Sequence, residues 1–326
     1  MTPSILRKKL EHHQIALYFG AVAGGVLIAL AVPGTEQWEG AINPALALML
    51  FVTFLQVPLA ELGQAFGRVR FLAALLVANF IVIPLLVAAL IPFAPGDPLI
   101  RLGALLVLLC PCIDYVVTFA HLGRADARLL LAATPVLLVV QMLLLPVYLG
   151  LFLGADAAGL VQAGPFIHAF VWLIALPLAL AVLVQLWARR SSIGARASAL
   201  LGVAPTPATA LVLLVVTAAV VPQLSLAIGP ALRVAPLYLV FALVAPLLGW
   251  SVSGLFRLDA SAGRAIAFAA ATRNSLVVLP LALAVPGAVP LLPAIIVTQT
   301  LIELVAQPLM IRLIPRFGAS REPDIV

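Results

Sequence analysis

The sequence predicts an all-α membrane protein with ten transmembrane helices. Of its 326 residues, 64% are hydrophobic and only 9% are charged, whereas an ordinary soluble domain is about half apolar and about a quarter charged. The apolar residues form continuous runs, and the charges, glycines and prolines collect between the runs. Continuous runs of this length exclude a membrane β-barrel, whose strands alternate and are about 10 residues long.

The individual spans are predicted by dividing the chain at its charged and Gly/Pro-rich interruptions. A helix needs about 20 apolar residues to cross the hydrocarbon, and its backbone must be hydrogen-bonded there. The predicted spans are 14–33, 42–60, 71–93, 99–121, 126–153, 166–188, 206–228, 234–256, 262–285 and 289–314. The first span has no convincing small-residue cleavage pattern, so we expect it to be retained rather than removed as a signal peptide.

The basic residues predict the orientation of the spans. Lys and Arg are retained on the cytoplasmic side of a membrane. With the N-terminus inside, fifteen of the 18 basic residues fall in cytoplasmic segments, while Arg101 and Arg233 fall outside and Arg273 lies within a span. We therefore predict a plasma-membrane protein with both termini in the cytoplasm. Because the basic residues are scattered singly at the ends of apolar runs, we expect the lipid bilayer as partner and no nucleic acid.

An internal repeat is indicated by a defect that two spans share. The segments LLCPCIDYVVTF (108–119) and AATRNSLVVLPL (270–281) each place polar residues and a proline at membrane depth. Discontinuous helices in matching positions of two halves indicate a transport site, because their freed backbone groups can hold an ion or a substrate. We predict one transporter unit over 1–326, with inverted five-helix repeats at about 14–153 and 166–314. Two ordinary proline kinks are the alternative.

Three ionisable residues, Asp114, Arg273 and Glu303, lie inside predicted spans. Each would cost several kcal/mol on a lipid-facing surface, so each should face the protein interior or a water-filled cavity. Arg273 could neutralise one carboxylate, which leaves the other to exchange a proton or a cation. A purely structural pair of Asp114 and Arg273 is the alternative. Glu303 could instead be held by hydrogen bonds within its own helix, from Gln299 or Thr300.

The only cysteines, Cys110 and Cys112, flank Pro111 in the fourth span. Thiolates are soft ligands suited to metals and to trivalent arsenic, and the alternative for each cysteine is a small buried apolar residue. Residues two apart lie about 200° apart around an ideal helix, so both thiols can face one substrate only if Pro111 unwinds the backbone. Phosphate loops, catalytic carboxylate pairs and nucleophile elbows are missing from the sequence. We therefore expect no enzyme, no cofactor and no resident metal.

The segment PCIDYVVTFAHLGRADARL (111–129) resembles the fourth helix of the arsenite efflux permeases, a branch of the bile acid/sodium symporter superfamily. The resemblance extends over nearly the whole chain. Three further segments are similar to the family: NFIVIP (79–84) to its third helix, ATRNSLVVLPLALA (271–284) to its ninth and TLIELVAQPL (300–309) to its last. The resemblance implies a ten-helix fold with a panel of helices 1, 2, 6 and 7 and a core of helices 3–5 and 8–10, in which helices 4 and 9 cross.

The resemblance also implies residue roles. Cys112 stands at the position of the family's metalloid-binding cysteine, Asn274 at that of a ninth-helix asparagine, and Glu303 at that of a last-helix glutamate. Val277 stands where the family has a ninth-helix glutamate that is thought to serve proton-coupled export. Either Asp114 or Glu303 has therefore taken over that role, or the chain transports another substrate.

The function predicted from these residues is secondary active export of arsenite or antimonite, coupled to proton antiport. The main alternative is a sodium-coupled symporter of an organic anion, in which Arg273 binds the substrate's carboxylate or sulfonate. A receptor or non-transporting scaffold is disfavoured because a scaffold has no need of broken helices at mid-membrane. The predicted substrate-binding residues are Cys112, Cys110, Asn274 and Arg273, and the predicted ion-coupling residues are Asp114 and Glu303.

Overall fold

The computed structural model describes residues 3–56, 67–113, 115–154, 164, 168, 171–283, 285, 287 and 291–318. These residues form helices and turns without a β-strand, which confirms the predicted all-α class. The helices are α1 (Pro3–Ala31), α2 (Glu39–Phe54), α3 (Val69–Val77), α4 (Ile83–Leu90), α5 (Pro98–Leu108), α6 (Val116–Leu122), α7 (Ala127–Leu153), α8 (Leu176–Arg190), α9 (Ser192–Leu201), α10 (Pro205–Leu255), α11 (Ala260–Ala271), α12 (Ser275–Leu283) and α13 (Leu291–Leu313). A π-helical turn, Ala78–Val82, joins α3 to α4, and a second, Val171–Ala175, precedes α8.

Within the described residues, seven helical segments are long and apolar enough to cross a membrane. They are His13–Ala31, Val69–Phe93, Val136–Leu153, Val171–Arg190, Pro205–Pro222, Ala227–Leu255 and Leu291–Arg316. This finding agrees with the prediction of an integral membrane protein. The predicted spans 99–121 and 262–285 do not qualify because each is interrupted, between α5 and α6 in the first case and between α11 and α12 in the second.

The predicted spans 206–228 and 234–256 correspond to two of these segments, Pro205–Pro222 and Ala227–Leu255. The predicted break between them is wrong, because both segments belong to one continuous helix, α10, of 51 residues. The glycine and prolines at 222, 229 and 230 were expected to end a helix. A proline removes one backbone donor and crowds the preceding turn, which bends a helix without always ending it.

One compact unit comprises Met1–Ala60, Leu160–Gly229 and Leu276–Val297. Its helices pack closely where glycine allows it: a Cβ atom at Gly25 of α1 would lie 2.8 Å from the Leu214 carbonyl oxygen of α10. The end of α2 is satisfied from α8, because the Gln185 amide donates to the carbonyl oxygens of Phe54 and Leu55 at 3.2 and 3.3 Å. The last carbonyl groups of a helix have no partner within the helix, and Gln185 supplies one for the C-terminus of α2.

The second compact unit comprises Glu61–Gly159, Pro230–Ser275 and Thr298–Val326, and α11 lies at its centre. Every residue of α11 from Ala262 to Ala271 is buried, and most are alanine or glycine. Small residues let helices approach closely in a membrane protein. A Cβ atom at Gly249 of α10 would lie 2.7 Å from the Ala270 methyl group, and one at Gly123 would lie 2.2 Å from the Phe268 ring.

The N-terminus of α11 is capped by Asp259. This carboxylate accepts hydrogen bonds from the Ala262 N–H at 3.2 Å and the Ser261 hydroxyl at 2.6 Å, and Arg68 lies 4.0 Å away. Partial burial acts to raise the pKa of Asp259, but the hydrogen bonds and the charge of Arg68 outweigh it, so the pKa lies below its ordinary 3.8. The charged form is therefore the one that stabilises the helix.

Replacing this cap should destabilise the second unit. We expect Asp259→Ala to lower the free energy of unfolding by about 1 kcal/mol at neutral pH, because α11 loses an N-cap acceptor. The group's folded-state pKa is depressed, so its contribution is present above the unfolded pKa and is lost as the pH falls through the folded pKa. Asp259→Asn is the control, since it keeps an acceptor oxygen. Thermal unfolding in detergent at several pH values would contradict the assignment if Asp259→Ala matched the wild type at neutral pH.

Candidate substrate site at two broken helices

The first interruption follows from a proline. Pro111 has no N–H to donate, and it disfavours the helical conformation of the residue before it, Cys110. Accordingly α5 ends at Leu108 and α6 begins at Val116. The second interruption, at Thr272–Asn274, begins where the backbone of Thr272 becomes extended.

The two interruptions bind each other through their backbones. The Asn274 N–H donates to the Cys110 carbonyl oxygen at 2.8 Å, and the Cys112 N–H donates to the Thr272 carbonyl oxygen at 3.0 Å. The residues between these partners form an antiparallel bridge. Buried backbone groups are costly unless paired, and here each broken helix supplies partners that the other has lost.

Arg273 and Pro111 face each other at a position of this bridge that forms no backbone hydrogen bond between them. The missing donor of Pro111 is therefore harmless, and the peptide groups of Arg273 remain available elsewhere. The Arg273 N–H donates to Glu303 at 2.8 Å, and its carbonyl oxygen lies 3.0 Å from the Tyr115 hydroxyl. We call the paired segments Cys110–Cys112 and Thr272–Asn274 the crossing. The backbone of Arg273 thus connects the crossing to α13.

Glu303 is a fully enclosed carboxyl group with three neighbouring donors. Besides the Arg273 N–H, it has the Gln299 amide at 2.7 Å and the Tyr115 hydroxyl at 2.8 Å. The hydroxyl has one proton for two acceptors, Glu303 and the Arg273 carbonyl oxygen. If Glu303 is charged, the hydroxyl donates to it; if Glu303 is protonated, it can donate to the hydroxyl, which then donates to the carbonyl oxygen. The carboxyl group of Glu303 therefore has hydrogen-bond partners in both protonation states.

The guanidinium group of Arg273 is enclosed by neutral oxygen atoms, and the residue is 0% exposed. Three of the oxygen atoms are backbone carbonyls from the last turns of α5 and α11, where the helix dipole is negative. The guanidinium carbon also lies 5.5 Å from the centre of the Phe241 ring, a distance at which a cation is attracted to the ring face. Its hydrogen bonds are Nη1 to Leu108 O at 3.3 Å and Nη2 to Asn79 Oδ1 at 2.9 Å, Ala270 O at 2.7 Å and Ala269 O.

A π-helical turn places Asn79 against this group. The turn Ala78–Val82 interrupts the regular pattern of the third predicted span, and such single π turns are frequent at functional sites. The Asn79 amide nitrogen donates to the Leu75 carbonyl oxygen at 3.1 Å, which leaves its oxygen to accept from Arg273. The amide orientation is therefore fixed at both ends.

Cys110 and Cys112 are both fully buried thiols, not joined in a disulfide. The backbone at Pro111 is extended, and alternate residues of an extended segment point to the same face. We therefore expect the two thiols to share a face. This arrangement meets the condition for one substrate to contact both thiols, which an intact helix would prevent.

Several buried polar atoms around the crossing have no hydrogen-bond partner among the described residues. They are the Ser275 hydroxyl, the Gln299 amide oxygen, the Gln307 amide oxygen and the Arg273 Nε. The Gln307 amide nitrogen is bound, donating to the Thr272 hydroxyl at 2.9 Å. Buried polar atoms are normally paired, so these oxygens are suited to bind water or a polar substrate.

The structure brings five of the six predicted site residues into one cluster: Cys110, Cys112, Arg273, Asn274 and Glu303. The sixth, Asp114, lies outside the described residues, so its proximity to Arg273 stays a prediction. Among the described residues no carboxylate lies within ion-pair distance of the guanidinium; Glu303 binds the backbone N–H instead.

Tyr115, Thr272 and Gln307 were not predicted as site residues. A sequence signal existed for one of them, because Gln299, Glu303 and Gln307 are spaced four residues apart and therefore lie on one face of a helix. No local pattern marked Tyr115 or Thr272. Tyr115 binds Arg273, and the Thr272 carbonyl oxygen binds Cys112, in each case more than 150 residues away along the chain.

Apolar helices and two interrupted helices that bind each other define a membrane transporter. Residues 43–228 match the family model described as the Sodium Bile acid symporter family. This match covers more than half of the chain, and the chain belongs to that family. The predicted superfamily is thereby confirmed. No curated protein was found to match the chain.

The bridging hydroxyl of Tyr115 should be needed for the site. We expect Tyr115→Phe to lower the free energy of unfolding by about 1–3 kcal/mol, because Glu303 and the Arg273 carbonyl oxygen lose a buried donor. Tyr148→Phe is the matched control, since it removes a hydroxyl that donates to the Phe80 carbonyl oxygen outside the crossing. Transport by the Tyr148 variant should be nearly normal. Equal transport by both variants, measured in membrane vesicles, would contradict the assignment.

Proposed function

We propose that the chain is a secondary active transporter that exports arsenite or antimonite and admits protons in exchange. The observation that carries this proposal is the bridge at Pro111. A locally extended backbone there is expected to direct the side chains of Cys110 and Cys112 to one face. A soft trivalent metalloid is the substrate class that two neighbouring thiols bind best. The resemblance to the arsenite efflux permeases at residues 111–129 supports the same substrate.

Binding requires only a condensation. Arsenous acid, As(OH)₃, exchanges two of its hydroxyl groups for the two thiols: each new As–S bond replaces one As–O bond, and each thiol proton leaves with a hydroxyl group as water. The oxidation state of arsenic does not change, so no oxidant or reductant is needed. Trivalent arsenic can bind three thiols, and here it would bind only two. Its binding should therefore be weak and readily reversed, as a carrier requires.

Glu303 is our candidate for the coupling group. Its contacts with Tyr115 and Arg273 give it hydrogen-bond partners with or without a proton. A group that must load and release a proton in a buried site needs both states to be satisfied. Asp114 is the second candidate, and Asn274, whose backbone holds the crossing together, is proposed to line the substrate site.

The sodium-coupled organic-anion symporter is less well supported. It needs a guanidinium whose donors can turn to a substrate. Nη1 and Nη2 of Arg273 donate to four oxygens of the protein itself, and only Nε has no partner among the described residues. An organic anion would have to displace several of these hydrogen bonds. A non-transporting scaffold has no use for the unpartnered polar atoms at the crossing.

For the topology we propose ten crossings in two inverted repeats. Seven candidate spans, together with α2 and the two interrupted helices, make ten. Two of the seven belong to α10, so ten crossings require the chain to reverse its direction between Pro222 and Ala227. The division of the chain supports most of the proposed panel and core, because one compact unit contains the predicted helices 1, 2, 6 and 7 and the other contains helices 3–5 and 8. The predicted helices 9 and 10 are divided, since Leu276–Val297 belongs to the first unit. We propose a plasma-membrane protein with both termini in the cytoplasm, and the distribution of Arg and Lys supports this orientation.

The position of the C-terminus tests this topology. We expect Arg321→Cys, in a background with Cys110→Ser and Cys112→Ser, to react with a membrane-impermeant maleimide in everted vesicles but not in intact cells. The chain has only two cysteines, so this background has no other thiol. Val32→Cys, at the far end of the first span, is the reciprocal control. Labelling of position 321 in intact cells would reject both the ten crossings and the inverted repeat.

Transport by everted vesicles tests the substrate and the coupling ion. We expect an acidic interior to drive arsenite uptake. Cys112→Ser and Cys112→Ala should reduce this uptake to background, because Cys112 stands at the position of the family's metalloid-binding cysteine. Cys110→Ser should reduce uptake partially or not at all. The alanine variant controls for a buried hydroxyl group, since it removes the thiol without adding polarity.

The outcomes separate the two candidate substrates. Full arsenite uptake by both Cys112 variants would reject the metalloid proposal. Uptake of taurocholate that requires a sodium gradient and depends on Arg273 would establish the organic-anion alternative instead.

A further inference from the structure

The oxygen atoms around the Arg273 guanidinium have the composition of a metal-cation site. Hard cations such as Na⁺ bind neutral oxygens of backbone carbonyls and side-chain amides. The four acceptors of the guanidinium are of these two kinds: three carbonyl oxygens, of Leu108, Ala269 and Ala270, and one amide oxygen, of Asn79. They come from three different helical segments, α5, α11 and the π turn.

The place of this site in the fold is also the place where a coupling cation is expected. In secondary transporters, unwound backbone carbonyls and the C-terminal ends of half-helices coordinate the coupling ion. Leu108 is the last residue of α5, and Ala269 and Ala270 belong to the last turn of α11. These are the two half-helices that lead into the crossing. In this chain a side chain supplies the positive charge at that point.

Sodium, the cation that the family description implies as a co-substrate, does not fit these residues. The oxygens that would coordinate it already accept hydrogen bonds from Arg273, and the residue is 0% exposed. A second cation would also be repelled by the guanidinium at close range. The donor set is suitable for sodium, but its centre is filled by a covalently attached cation.

We infer that the Arg273 guanidinium replaces the coupling metal cation of this transporter, so that its site is permanently loaded and its transport is independent of sodium. This inference rests on the proposed transporter function and specifies its coupling. A tethered cation holds α5, α11 and the π turn together as a bound ion would, but it cannot be released on the other side of the membrane. The driving ion must therefore bind elsewhere, and Glu303 is the candidate for the proton.

Removal of the tethered cation should make the protein respond to free cations. We compare the melting temperatures of purified protein in NaCl and in choline chloride of equal concentration. The melting temperature of the wild type should differ by less than about 1 °C between the two salts. Arg273→Ala should melt lower in choline, and NaCl or methylguanidinium chloride should raise its melting temperature by about 3 °C or more, because either cation binds the vacated oxygens in the folded state only.

Arg264→Ala is the matched control. Arg264 also belongs to α11, is buried, and donates to the carbonyl oxygens of Arg124 and Phe317 outside the crossing. This variant should lose stability as well, but sodium should not restore it. Restoration of Arg264→Ala to the same extent as Arg273→Ala would show a general salt effect and overturn the inference.

Two further measurements keep the inference testable if Arg273→Ala does not fold. Arg273→Gln retains part of the side-chain volume and should show the same response to sodium. The wild-type protein provides an independent test. If its melting temperature or its rate of substrate uptake rises when sodium replaces choline, the inference is overturned. Because melting requires no substrate, these results stand apart from the arsenite assay, and a failed arsenite assay would reject the proposed substrate without affecting them.

Discussion

The pair of backbone hydrogen bonds between the two interrupted helices is the constraint on which the site depends. These bonds join Cys110 to Asn274 and Cys112 to Thr272. They fix the orientation of Arg273, which lies between Thr272 and Asn274 in the chain. Because Arg273 occupies the position that forms no bond across the bridge, its peptide reaches Glu303 while its side chain reaches the ends of α5 and α11. A shift of one residue in this pairing would exchange those directions.

The charges of the site are stabilised by dipoles rather than by direct ion pairing among the described residues. The guanidinium of Arg273 binds carbonyl and amide oxygens, and the carboxyl group of Glu303 receives N–H and O–H donors. An isolated buried charge is costly, but hydrogen bonds that satisfy its polar atoms reduce that cost. Keeping the two groups in separate networks also lets Glu303 change its protonation state without breaking the bonds of the guanidinium.

Much of the fold could be predicted from the sequence because lipid imposes simple rules. Apolar runs gave the helices, and polar residues beside Pro111 correctly marked an interruption. The same rule failed in α10, where prolines lie inside a helix that continues, because a proline removes one donor and does not by itself end a helix. The Gln299–Glu303 contact was predictable from its spacing. The acceptors of Arg273 were not, since carbonyl oxygens carry no residue identity and their positions depend on where distant helices end.

The close packing of α11 has a mechanical consequence. Gly249 and Gly123 leave less space beside Ala270 and Phe268 than a single added methyl group would need. Surfaces fitted this closely cannot slide past one another without a clash, so α11, the neighbouring part of α10 and the turn after α6 must move as one rigid body. Any rearrangement that carries cargo through the second compact unit is therefore a displacement of this block as a whole, with its internal geometry preserved.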